Sequence, residues 1–114
     1  MTESVPMKEG IYERDRTLYV IGPRAMAKVS STLASDTRAK VLSILQNGPI
    51  DLEDLATLVN QSKANVSSQI RKLEEVNIVR SKYSPGQRGI KKIVELIIDK
   101  IVMVVSPENL AEKE

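Results

Sequence analysis

Apolar residues return along this chain with two different periods. The β-prone run Thr17-Leu18-Tyr19-Val20-Ile21 stops at Gly22-Pro23 and predicts a short strand. Pro23 suits the first turn of a helix, along which Met26, Val29 and Leu33 share one face, with Ala25 and Ala27 thinning its flank. Ser35 predicts the N-cap of a second helix, with Asp36 well placed in its first turn. Val41, Leu42 and Leu45 are its buried stripe, and Asn47-Gly48-Pro49 is its stop. Asp51 caps a third helix through Leu52, Leu55, Ala56 and Val59. Only Asn60 and Gln61 separate it from Ser62, the N-cap of a fourth helix that turns Val66, Ile70 and Leu73 inward. Asn60 and Asn77 stand where a helix must exit left-handed, the conformation Asn tolerates best after Gly.

Past Asn77 the pattern becomes that of strands: one over residues 78–83, a tight loop over 84–89 and a return strand over 90–98. Asp99-Lys100 allows a reversal into residues 101–105. Residues 1–16 read as a flexible arm, 17–105 as one domain and 106–114 as a polar tail. Two helices joined by a short turn and followed by a hairpin predict a winged helix-turn-helix. The class is α+β, mainly α, with an N-terminal strand, a hairpin wing and one extra strand.

Composition narrows the chemistry. At 114 residues and 41% hydrophobic, the chain holds one core, built from Ile, Val and Leu because there is no Phe and no Trp. With no Cys and no His, disulfides, thiolate metal sites and His-based catalysis are excluded. No Gly-rich phosphate loop and no nucleophile–base pair is present, so neither catalytic residues nor a metal or cofactor is expected. The apolar run 101–105 is too short to cross a bilayer as a helix, and residues 1–10 lack the apolar run of a signal peptide, which points to the cytoplasm.

Charge changes the picture most. The whole chain carries only +2, yet residues 62–92 hold Lys63, Arg71, Lys72, Arg80, Lys82, Arg88, Lys91 and Lys92 against Glu74 and Glu75 alone. Polyanions attract such a patch. Opposite Val66, Ile70 and Leu73, the fourth helix presents Ala64, Ser67, Ser68 and Arg71, flanked by Asn65 and Lys72. Small residues let a helix sit deep in a major groove, and Ser62, Lys63, Asn65 and the serines can bond base edges or phosphates. Arg71 suits either a guanine or a phosphate. At the wing tip Gln87 and Arg88 can reach a minor groove, while Lys82, Lys91 and Lys92 suit backbone contact. Tyr83 either packs its ring on the wing or offers its hydroxyl to a phosphate. Each feature also has a plainer use, as a solvated helix face or as lysines that keep a hairpin edge from aggregating. The combination favours double-stranded DNA. A small core leaves Leu18, Val20, Met26, Val29 and Leu33 short of partners, which makes them candidate homodimer contacts.

The run Ser35-Asp36-Thr37-Arg38-Ala39-Lys40-Val41-Leu42 resembles the opening of ArsR-type winged-helix regulators. The stretch from Ser62 to Glu75 is similar to their recognition helix, and Val76-Asn77-Ile78-Val79-Arg80 stands where that helix ends. The wing, Pro85-Gly86-Gln87-Arg88-Gly89-Ile90-Lys91-Lys92, is similar to that of archaeal members in particular. The resemblance covers residues 24–105 and implies a dimeric transcriptional regulator, with recognition helix 62–76 in the major groove and wing 80–92 on backbone or minor groove. Three departures qualify it. Where metal-sensing members carry Cys-Val-Cys-Asp, this chain has Asp51-Leu52-Glu53-Asp54, which implies a member that senses no metal. Gln61 occupies a turn position that is usually apolar, and no long helix follows the wing. The competing readings are an architectural protein that coats DNA and a winged helix that binds protein.

Overall fold

A computed structural model describes residues 8–87 and 89–106. Its elements run β1 (Gly10–Arg14), β2 (Thr17–Ile21), α1 (Pro23–Leu33), α2 (Asp36–Leu45), β3 (Ile50–Asp51), α3 (Leu52–Val59), α4 (Lys63–Glu75), β4 (Val79–Gly86), β5 (Gly89–Leu96) and β6 (Lys100–Val104). The helices begin where the capping residues stand. Ser35 Oγ accepts from the Arg38 amide at 3.2 Å, Asp51 Oδ1 from the Glu53 amide at 2.7 Å and Ser62 Oγ from the Asn65 amide at 3.0 Å. Each satisfies a helix-start donor, worth about 1 kcal/mol. Asn60 (φ 59°) and Asn77 (φ 63°) make the left-handed exits from α3 and α4. The α3–α4 turn is therefore as short as the residues between the caps require.

Two three-stranded sheets flank the helices, ordered β1-β2-β6 and β3-β5-β4. In the first, β1 is antiparallel to β2, and β6 lies parallel to it with Leu18 opposite Ile101 and Val20 opposite Met103. Everything between β2 and β6 is thus one long crossover that closes the chain on itself. In the second, β4 and β5 form the wing hairpin from Val79–Leu96 to Gly86–Gly89, and β3 adds Asp51 opposite Ile93. Val41, Leu45, Leu55, Val66, Ile70, Leu73, Val76 and Ile78 form one aliphatic core with Leu18, Val20, Val29 and Val94.

Several expectations need correction. Residues 10–14, expected within a flexible arm, form β1. Their hairpin turns at Asp15 (φ 52°) and Arg16 (φ 64°), two left-handed residues in a row, the backbone of a tight two-residue hairpin turn without its usual Gly. The wing strands are longer and their loop shorter than expected, because pairing continues to Gly86 and Gly89. Leu18, Val20 and Val29 are fully buried within their own chain. They are not available as dimer contacts, because the parallel β6 and the helices already cover them. Met26 and Leu33 remain partly buried against the same core. Residues 1–7 of the expected arm and 107–114 of the expected tail lie outside the described residues.

Gly22 shows how the N-terminal sheet is locked to α1. Its φ of 97° disfavours any side chain, and a Cβ there would lie 2.6 Å from the Glu9 side chain. That approach lets the Glu9 carboxylate accept from the Arg24 amide at 3.3 Å, covering a free donor in the first turn of α1. The Gly22 amide in turn donates to the Val104 carbonyl at 2.8 Å, tying the end of β6 to the start of the helix.

Candidate nucleic-acid interface

Val66, Ile70 and Leu73 anchor α4 in the core and leave Lys63, Ala64, Asn65, Arg71 and Lys72 exposed, with Ser67 and Ser68 half-buried. Ser62, at the cap, is exposed as well. The wing stands beside the starts of α3 and α4. Between them lies an open groove of about 810 Å³ whose lining includes Lys63, Tyr83, Gln87, Ile90, Lys91 and Lys92. The fold therefore brings the helix start and the wing to one side. Arg88 lies outside the described residues. Tyr83 is 69% exposed and Ile90 76% exposed. Neither is packed down, so the ring-packing alternative for Tyr83 is not what the structure holds. Tyr83, Pro85, Ile90 and Lys92 share one face of the hairpin, because the register pairs Tyr83 with Lys92 and Pro85 with Ile90.

Three carboxylates from outside the basic stretch sit against four of its cations. Lys63 Nζ meets Glu53 at 3.1 Å, Lys91 Nζ meets Asp51 at 3.6 Å, and Glu95 takes Arg80 at 3.1 Å and Lys82 at 3.2 Å. The hydrogen bond from Lys82, then that from Arg80, holds the Glu95 carboxyl below the usual range. Counting charge along residues 62–92 could not find these partners, which arrive from α3, its cap and the far end of β5. Among the described residues, Arg71, Lys72 and Lys92 make no ion pair.

A second set of polar residues was not singled out from the sequence. Arg38, on the first turn of α2, donates from Nη1 to Gln69 Oε1 at 2.6 Å and from Nε to the Thr32 carbonyl at 2.6 Å. Gln69 Nε2 donates to Asn65 Oδ1 at 3.5 Å, Asn65 Nδ2 donates to Gln61 Oε1, and Gln61 Nε2 donates to Thr37 Oγ1 at 3.2 Å. Both polar atoms of Asn65 are thus engaged within the chain. The signal was the spacing Gln61, Asn65, Gln69, three amides four residues apart that run from the turn onto one edge of α4.

Asp51 and Glu53, the two acids that the resemblance sets in place of thiolates, are engaged as an N-cap and as ion-pair partners. Among the described residues no group of three or more His, Cys, Asp or Glu could hold a metal ion, and no helix is long and apolar enough to cross a membrane.

Residues 35–81 match the family of bacterial regulatory proteins called the arsR family. Over 111 residues, 95% of this chain and 88% of the relative, the sequence is 31% identical to the HTH-type transcriptional regulator NmtR of Mycobacterium tuberculosis. The chain belongs to the ArsR family. Solved structures agree on the fold of this ArsR-family protein. M. tuberculosis Rv0081 matches with a TM-score of 0.57 at 21% identity, over 65% of this chain and 71% of that one. The homodimeric winged helix-turn-helix DNA-binding domain Mb0332 of Mycobacterium bovis gives 0.55 at 21% identity, over 63% of each chain. A possible transcriptional regulator from Methanosarcina mazei gives 0.53 at 13% identity, over 93% of this chain and 82% of that one. The ArsR-family chain is a winged-helix regulatory protein and not an enzyme.

Proposed function

We propose that this ArsR-family protein is a dimeric, sequence-specific regulator of transcription that binds double-stranded DNA. In this reading α4 enters the major groove through Ala64, Ser67, Ser68 and Arg71, with Ser62, Lys63 and Lys72 at its margins. The wing follows the backbone and minor groove through Lys82, Tyr83, Gln87, Arg88, Lys91 and Lys92. The observation that carries the reading is the shared groove: the start of α4 and the wing open on one side, where Lys63, Lys91 and Lys92 line the same groove. Asn65 acts in this reading by shaping the helix edge more than by touching bases. The regulator works without a metal effector, in the cytoplasm; the archaeal affinity expected from the wing is not supported, since the relative that is 31% identical is mycobacterial.

The dimer contact belongs to surface the fold leaves uncovered. Met26 and Leu33 of α1 stay partly open, and Val102, Met103 and Val105 expose apolar area on and beyond the edge strand β6. Two recognition helices related by a two-fold axis would lie about 34 Å apart. Selection from random duplexes should therefore enrich an inverted repeat with half-sites about 10 bp apart. Binding without enrichment would favour a DNA-coating protein, and no binding at low salt a protein-binding module. Sedimentation of a monomer at micromolar concentration would refute the dimer.

A further inference from the structure

The polar residues along the edge of α4 have a geometry that packing alone does not require. Both ends of the amide run return to the first turn of α2: Gln61 bonds Thr37, and Gln69 receives Arg38. Between them Asn65 passes the hydrogen bonds along in one direction, each amide donating one turn back toward the helix start. Gln61 stands in the turn just before the Ser62 cap and Gln69 about two turns into the helix, so α2 holds both the entry to α4 and its middle. Arg38 also bonds the Thr32 carbonyl in the last turn of α1, one of the acceptors a helix end leaves free. One guanidinium therefore joins three helices.

The apolar side of α4 cannot do this work. Val66, Ile70 and Leu73 hold the helix against the core, but apolar burial is non-directional and leaves small rolls and tilts cheap. Hydrogen bonds are directional, and those of a charged donor are roughly twice as strong as neutral ones. A part-buried guanidinium bond at Gln69 and a hydroxyl bond at Gln61, just ahead of the cap, set the roll of α4 about its own axis. That roll decides which of Ala64, Ser67, Ser68 and Arg71 faces outward.

We infer that Arg38 and Gln69 are positioning residues that fix the pose of the recognition helix and so determine sequence discrimination without touching DNA. This rests on the DNA-binding reading above. Arg38→Lys keeps the charge but not the two-pronged planar geometry, and Gln69→Leu removes both amide functions. Each variant, the double variant and the parent are measured against the selected duplex and a random-sequence duplex at one salt concentration. The ratio of specific to random affinity should fall about tenfold in each single variant, with random-duplex affinity held within about twofold and no further fall in the double. Parental ratios in folded single variants, or losses that multiply in the double, would overturn the inference. A parent that prefers no duplex would instead refute the proposed function. The clamp itself is read in the DNA-free protein from the side-chain amide NMR signals of Gln61 and Asn65. Arg38→Lys should move both, although neither touches Arg38, and unmoved signals overturn the clamp whatever the DNA result. Should Arg38→Lys fail to fold, Gln69→Leu decides by the Gln61 signal, since Gln69 bonds Asn65 but not Gln61.

Discussion

Glu95→Gln isolates the counter-ions built into the wing. The Glu95 carboxylate, 21% exposed, holds Arg80 at 3.1 Å and Lys82 at 3.2 Å. Glutamine keeps the shape and removes the charge. Against a phosphate about 10 Å away, a carboxylate costs about 0.4 kcal/mol at the dielectric of water and about 1.7 kcal/mol at an effective value of 20. Removing it should tighten binding to any duplex by about twofold to fifteenfold at low salt, since about 1.4 kcal/mol is tenfold. Freed to meet phosphates, Arg80 and Lys82 should steepen the plot of log affinity against log salt by up to about 0.9 each. Stability should move the other way. Both cations are more than half exposed, so the two pairs together contribute about 1 kcal/mol at most. The sign with pH follows from the depressed Glu95 carboxyl. Its share of stability is present above the unfolded value of about 4.3 and is lost as pH falls through the lower folded value. The stability gap between parent and variant should accordingly close in acid. Fluorescence anisotropy on a random duplex across a salt series, with thermal unfolding at neutral and acid pH, reads all three effects. Weaker binding with a shallower salt slope would refute the reasoning, because Glu95 would then be bracing the cations in a DNA-ready position.

The two wing lysines should separate in the same assay. Lys92 has no ion-pair partner among the described residues, so Lys92→Ala should flatten the salt slope by about 1, whereas Lys91, tied to Asp51 at 3.6 Å, should cost less. Equal slopes for the two variants would contradict this. In the helix-turn-helix turn, Asn60→Ala should lower stability by about 1–2 kcal/mol in chemical denaturation, because φ is 59° there, while Asn60→Gly should change it little.

The helices were legible because their evidence is local. Ser35, Asp51 and Ser62 cap where such residues cap, Asn60 and Asn77 exit where Asn can, and the stripe Val66-Ile70-Leu73 declares its buried side within one segment. The wing was legible for the same reason, since Pro85 and Gly86 mark a reversal between two β-prone runs. These determine the winged helix-turn-helix and the face that α4 exposes. Strand β1 escaped because its turn, Asp15-Arg16, adopts the left-handed pair without Gly or Asn, at a cost only its sheet partners can offset. Whether Leu18 and Val20 were covered depended on a parallel partner more than 80 residues away, and no local pattern encodes a pairing at that distance. The same limit applied to charge. Asp51 and Glu95 lie outside the basic stretch in the chain and against it in space, and Arg38 reaches Gln69 across 31 residues. Patterning and caps act within a few residues, so the sequence alone determines them; ion pairs, clamps and closed sheet edges arise between segments, and only the tertiary structure decides them.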